Sequence, residues 1–327
     1  MPRIDSHAHF APAPYLDRVQ RRAGGKLPIP PWHLDVSLEM MARYQIDASI
    51  ISISPPGVFM GDQGEANELA RLVNETASSI IKARPSHFAA LACLPLPEID
   101  AAMFELEYAL DVLKLDGVAL FTHYGASYLS DPKFVVILDE LERRKAYVLV
   151  HPALPVHATP MPQYPTWLIE FPFETTRCLV DLIYSGTLER CRNIRFQFAH
   201  QGGTVPFLAG RIASLPKRSP KEAGFADRAP AGALEYFKHL YYDTGLSNNA
   251  AAISATLEVT SLDHIVFGTD FPYADLPENG DPAPGLAFLN EKRAQLEFQN
   301  VAALVPRLVT ALELQDDATG QGTKENL

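Results

Sequence analysis

Eight short apolar runs, each followed by a stretch whose apolar residues recur at helical spacing, constrain what this chain can fold into. The runs are Arg3–His9, Ala48–Ser54, Phe88–Leu94, Gly117–Phe121, Tyr147–His151, Ile194–His200, Leu240–Thr244 and Ile265–Asp270. Several are almost continuously hydrophobic, the pattern of parallel strands covered on both faces. Between them, Ser37–Tyr44 spaces Leu38 and Met41 three apart, and Glu65–Arg84 carries Leu69, Leu72, Val73 and Ile80 before Pro85. Asp100–Leu113 carries Met103, Leu106, Leu110 and Leu113 behind an Asp100 cap. Asp131-Pro132 opens Phe134–Arg144, Gly186 closes Glu174–Ser185, and Thr204–Leu215 follows Gly202-Gly203. Ala250–Val259 fills the seventh gap. This alternation predicts a closed (β/α)8 TIM barrel, a single domain over residues 1–315, with residues 316–327 as a polar, disordered tail. No Gly-x-Gly-x-x-Gly follows a strand, which counts against a dinucleotide fold.

Two connections exceed what a barrel turn needs. Ala11–Asp35, a long insertion after the first strand, holds Trp32 with Pro28, Pro30 and Pro31; Pro152–Pro172 holds Pro155, Pro160, Pro162 and Pro165. Long ordered loops in compact domains are usually functional. Both leave strands that end in histidine, so both are expected to wall a site.

Charge and cysteine usage narrow the setting. A net charge of −11 argues against nucleic acid or an anionic membrane as the main partner, yet leaves room for a small acid at a locally positive site. No apolar run reaches about 18 residues, and no signal-like stretch precedes the first strand. Cys93, Cys178 and Cys191 form an odd, scattered set without a CxxC, reading as buried or idle thiols in a reducing compartment. The expectation is a cytoplasmic protein.

In such a barrel the reactive side chains belong at the C-terminal ends of strands. Strand one then ends in His7 and His9, strand five in His151, strand six in His200 and strand eight in Asp270. His7 and His9 are two residues apart in a strand, so they share a face with Cα atoms roughly 6–7 Å apart, within reach of one ion. Inward histidines plus a carboxylate make a divalent-metal site with a position open for water or substrate, leaving His200 as an acid–base group. His123 follows the fourth strand and could line the same pocket, whereas His33, His87, His157, His239 and His264 fall in loops or helix ends and need no role. Arg211, in the helix after His200, reads either as a surface ion pair or as a guanidinium offered to a substrate carboxylate.

Ile4-Asp5-Ser6-His7-Ala8-His9-Phe10, Val150-His151-Pro152, Ala199-His200-Gln201-Gly202-Gly203 and Gly268-Thr269-Asp270-Phe271-Pro272 together resemble the amidohydrolase superfamily. More narrowly, they are similar to its metal-dependent non-oxidative decarboxylases, which include aminocarboxymuconate semialdehyde decarboxylase and the decarboxylases of salicylate-type acids. Phe173-Glu174-Thr175-Thr176, Tyr184-Ser185-Gly186 and Phe207-Leu208-Ala209-Gly210-Arg211 extend the match, which runs from residue 3 to about residue 312. The resemblance implies one Zn2+ or Mn2+ held by His7, His9, His151 and Asp270, with His200 catalytic. It also implies a homodimer, because Arg211 matches an arginine that reaches into the neighbouring subunit's site. A second carboxylate-binding arginine of the semialdehyde decarboxylase has no counterpart in Lys26–His33, which favours an aromatic monoacid such as a 2-hydroxybenzoate over a dicarboxylate. Trp32 and Phe271 could contact its ring or pack in the core. Lys114 and Lys145 precede their strands, at the wrong rim for the carboxylated lysine of binuclear relatives, so one metal is expected. His200 or Asp270 would be the proton donor. The alternative from the same superfamily is a metal-dependent hydrolase of a lactone or amide, and the non-enzymatic one a barrel with a structural metal.

Overall fold

Every one of the eight apolar runs becomes a parallel strand. These are β1 Ile4–His9, β2 Ala48–Ser52, β3 Phe88–Cys93, β4 Gly117–Phe121, β5 Tyr147–His151, β6 Arg195–Phe198, β7 Tyr241–Asp243 and β8 Ile265–Val266. They pair in chain order in one sheet of the computed structural model, which describes residues 2–25, 27–156, 163–278 and 280–322. Backbone bonds join the two ends of that sheet. Ser6 N–H donates to the Phe267 carbonyl at 2.8 Å, Asp270 N–H to that of His7 at 2.7 Å and His9 N–H to that of Phe271 at 2.7 Å. The sheet thus closes into the expected (β/α)8 barrel.

The outer layer is formed by α1 Ala13–Arg22, α2 Leu34–Tyr44, α3 Gln63–Ala83, α4 Ile99–Glu107, α5 Val135–Arg144, α6 Thr166–Tyr184, α7 Val205–Ala213 and α8 Ala250–Leu257. Inside, Ile4, Ile50, Leu91, Leu149 and Val266 meet Val301, Leu304, Val305 and Leu308 from the C-terminal segment. The C-terminal segment plugs one end of the barrel, and the opposite mouth, where the strands end, remains for chemistry.

A local irregularity in β1 decides which side chains reach that mouth. Asp5 pairs with Ser49 and Ala8 with Ile51, so three steps along β1 match two along β2. One extra residue flips the alternation. Ile4 faces the interior below the irregularity, and His7 and His9 face it above, where regular pleating would have offered Ala8.

Several elements differ from the sequence reading. The insertion Ala11–Asp35 contains α1, whose Tyr15 and Val19 are buried one turn apart; Pro12 and Pro14 disguise it, yet proline is tolerated at a helix start. Helix α6 begins at Thr166 rather than Glu174 and runs through Pro172, so part of the expected second loop is helical. Glu98, not Asp100, caps α4, accepting from Asp100 and Ala101 N–H at 3.2 and 2.7 Å. That helix continues past Glu107 as a wider π turn, Tyr108–Val112. Strands β6 and β8 are shorter than expected because the chain turns sharply toward His200 and Asp270. The last helix, α9 Pro306–Gly322, covers the start of the stretch expected to be a disordered tail. His157, Pro160, Pro162, Lys26 and residues 323–327 lie outside the described residues.

Gly203 marks the tightest crossing between layers. Its backbone has φ 67°, and a Cβ there would stand 2.0 Å from the Pro172 carbonyl oxygen and 2.8 Å from Thr176 Oγ1. Gly203→Ala is therefore expected to cost about 2 kcal/mol or more through strain and overlap. A thermal melt should show Tm lowered by several degrees; an unchanged melt would mean that α6 can yield at Pro172.

Candidate metal centre

β1, β5 and the turn after β8 bring His7, His9, His151 and Asp270 together, all buried, with one ligand atom from each within 4.8 Å of the others. The Nε2 atoms of His7 and His9 are 3.0 Å apart, and Asp270 Oδ1 lies 3.0 Å from His9 Nε2 and 3.3 Å from His7 Nε2. Each ring is held from behind through its other nitrogen. His7 Nδ1 is 3.1 Å from Asp243 Oδ2, His9 Nδ1 3.3 Å from the Ser52 carbonyl and His151 Nδ1 2.8 Å from the Pro152 carbonyl. A ring nitrogen facing an acceptor carries the proton, so an imidazole that gives up its second proton to a cation presents an Nε2 lone pair to it. Asp270 Oδ1 is buried without a hydrogen-bond donor. Three imidazole lone pairs and such an oxygen form a donor set suited to one divalent cation of borderline softness.

The electrostatics agree. Burial alone would lower His7, but the carboxylates of Asp243 and Asp270 overcome it and push that ring up to about 9. Burial and the neighbouring His7 hold His9 below its ordinary value, and burial with His9 and His7 beside it holds His151 well below. Burial would raise Asp270, yet His7 and His200 keep it well below the usual carboxylate range. The two carboxylates demand positive charge at this spot, and a cation meets that demand.

Asp243, at the end of β7, was not singled out in the sequence, although the strand-end rule that selects Asp270 also selects it. Besides facing His7, its carboxylate accepts from His200 N–H at 3.0 Å, Gly245 N–H at 3.0 Å and Gln197 Nε2 at 2.9 Å. Asp5 ties β1 to the other side of the site, accepting from His7 N–H and Thr269 N–H, both at 3.0 Å, and from the Thr269 hydroxyl at 2.5 Å. Burial pushes Asp5 up to about 6 against those bonds.

His200 Nε2 lies 3.3 Å from Asp270 Oδ2. Both residues have positive φ, 56° and 64°, and Gln201 shares the conformation at 57°. Side chains beyond glycine rarely adopt it, and such strain collects at functional sites. Here the bonds from His200 N–H to Asp243 and from Asp270 N–H to the His7 carbonyl hold the two turns in place.

A cavity of about 290 Å3 adjoins the cluster, walled by the segments that follow β2, β3, β4 and β5. Phe121 lines it and stands edge-on to His151, ring centroids 6.3 Å apart. His123 lines it too, as expected, with Nδ1 2.9 Å from the Gly125 carbonyl and Nε2 3.6 Å from Glu174. Trp32 is buried in the core, donating to Ser37 Oγ at 2.8 Å and packing edge-on against Phe10. Phe271 is half-buried, its backbone bridged to Ala8. Arg211 stands exposed on α7, outside both the cluster and the cavity wall.

Comparison with known proteins places this geometry among relatives. A family model described as amidohydrolase matches residues 4–305. A 6-methylsalicylic acid decarboxylase from Penicillium expansum is 35% identical over 282 residues, spanning 84% of this chain and 86% of that protein. A gamma-resorcylate decarboxylase from Rhizobium radiobacter is 27% identical over 300 residues, spanning 85% and 86%. The solved dihydroxybenzoic acid decarboxylase of Polaromonas sp. JS666, with bound manganese and 2-nitroresorcinol, superposes with a TM-score of 0.79 at 20% identity, covering 93% of this chain and 96% of that one. No helix among the described residues is long and apolar enough to cross a membrane.

The carboxylate behind His7 should govern how tightly a cation is held. Asp243→Asn, which keeps the shape but removes the charge, is expected to weaken Zn2+ or Mn2+ binding by about 10–100-fold. A competition titration against a chromogenic chelator measures this directly, and an affinity equal to that of the unaltered protein would contradict it.

Proposed function

The chain belongs to the amidohydrolase family, and on that premise we propose that it is a metal-dependent, non-oxidative decarboxylase of a small 2-hydroxybenzoate-type acid. The observation that carries this reading is the His200–Asp270 contact of 3.3 Å at the edge of a cluster able to hold one cation. His7, His9, His151 and Asp270 would hold a Zn2+ or Mn2+ ion. When bound, the cation supplies Lewis acidity and an anchor for the acid's carboxylate and neighbouring phenol oxygen.

The protein's own groups account for the rest. The His200–Asp270 pair delivers a proton to the ring carbon that bears the carboxylate. The bond from that carbon to the carboxyl group then breaks, its electron pair restores the aromatic ring, and CO2 departs without consumption of water. Asp243 holds His200 in its turn through the backbone N–H, so the donor does not have to reorganise during the reaction. The relatives that act on 6-methylsalicylic acid and gamma-resorcylate support this substrate class.

The reading includes a homodimer in which Arg211 reaches the neighbouring site. Supporting it, Phe207 is 87% exposed and lies one turn from Arg211 on α7. An exposed aromatic ring beside an exposed guanidinium suits a subunit interface. The three cysteines are buried free thiols, which supports a reducing, cytoplasmic setting.

Two measurements test the proposal. His200→Ala should retain the cation and lose about 10²-fold or more in the rate of CO2 release, the usual scale for an acid–base group; full activity at full metal occupancy would remove the assigned role. Phe207→Glu should shift sedimentation from dimer to monomer and lower kcat/KM, and an active monomeric parent protein would dispose of the shared site.

A further inference from the structure

The cavity beside the candidate metal centre has predominantly apolar walls. Val58, Leu94, Leu96, Phe121, Ala153 and Leu154 are among its lining residues, and no Asp, Glu, Lys or Arg lines it among the described residues. Two polar side chains, Tyr124 and His123, interrupt the apolar wall among the described residues. Tyr124 Oη accepts from Phe121 N–H at 3.2 Å, and His123 Nδ1 is 2.9 Å from the Gly125 carbonyl, with its Nε2 3.6 Å from Glu174. Against the aliphatic part of the wall a ring hydroxyl would be stripped of water, whereas an alkyl group would gain from the burial.

Phe121 fixes where this cavity stands relative to the chemistry. Its ring meets His151 on one side and lines the cavity on the other. Gly57 backs the ring so closely that a Cβ there would be 2.6 Å from Phe121 Cε2. The phenylalanine therefore cannot swing toward the β2 loop, and it stands as a shared wall between the cluster and the cavity. Whole small-molecule sites begin at about 300 Å3, and this one offers about 290 Å3. A methyl group alone would leave most of that volume empty. Leu154 and Val156, 43% and 41% exposed at the rim, leave it open outward for a chain to extend.

We propose that this cavity is an apolar subsite for an alkyl chain longer than methyl on the non-coordinating edge of the ring. Alkyl-substituted 2-hydroxybenzoates are then preferred over dihydroxybenzoates. The inference rests on the decarboxylase reading above, and its test separates the two.

Manganese-loaded enzyme is assayed for CO2 release from salicylate, from its 6-methyl, 6-ethyl and 6-propyl derivatives, and from 2,6-dihydroxybenzoate. The expected result is a kcat/KM that rises about fourfold per added methylene, with the dihydroxy acid below all alkyl acids. Calorimetric binding of the corresponding 3-alkylphenols, the products of those acids, should show the same progression without turnover. Ala153→Phe, which fills the cavity, and Leu154→Asn, which makes its rim polar, should each flatten it. A flat or falling progression in both assays, or a preference for the dihydroxy acid, overturns the subsite. No CO2 from any acid overturns the decarboxylase reading instead, and the phenol series still decides the subsite.

Discussion

A single buried carboxylate organises this site. Asp243 receives bonds from β6 through Gln197, from the turn after β6 through His200 N–H and from its own loop through Gly245, while facing the Nδ1 of His7 on β1. In a low-dielectric interior an ionised carboxylate survives only with this degree of partnership. Once it is in place the rest follows. His7 must turn its other nitrogen toward the cluster, and His200 must sit in a backbone conformation that it would otherwise avoid. His7, a candidate ligand, and His200, the proposed acid–base residue, are therefore positioned by the same anion.

The barrel converts this local chemistry into a fixed geometry. β1 carries an extra residue that rotates His7 and His9 inward, and bonds from Ser6, His9 and Asp270 close β1 onto the segment after β8. Asp5 strengthens the seam through Thr269. Closure and ligand presentation are thus one event. A barrel joined differently at this seam would not bring Asp270 to the two histidines.

Much of this was legible in the sequence because strand ends carry the site and strands are the strongest periodic signal in an α/β barrel. The cluster of His7, His9, His151 and Asp270, with His200 beside it, follows from where four apolar runs stop. Other features obey longer-range rules. Asp243 looks like an ordinary polar end to a short strand until the barrel places it behind His7. Nothing local to Ser6 announces the extra residue, since a bulge is defined only against its partner strand. Prolines hid α1 and the first turns of α6: Pro12 and Pro14 sit at the start of α1, where proline is tolerated, whereas Pro172 lies inside α6, where it is usually a breaker. Trp32 carries an indole N–H that finds Ser37 five residues on, and the ring is buried in the core.

The four candidate ligands are contributed by residues 7, 9, 151 and 270, and the plug at the opposite mouth comes from Val301 to Leu308. During synthesis the leading His-x-His pair leaves the ribosome long before its last companion, so cation capture is necessarily among the final steps of maturation. Until then the early strands expose an unclosed margin, which leaves metal loading to a finished product.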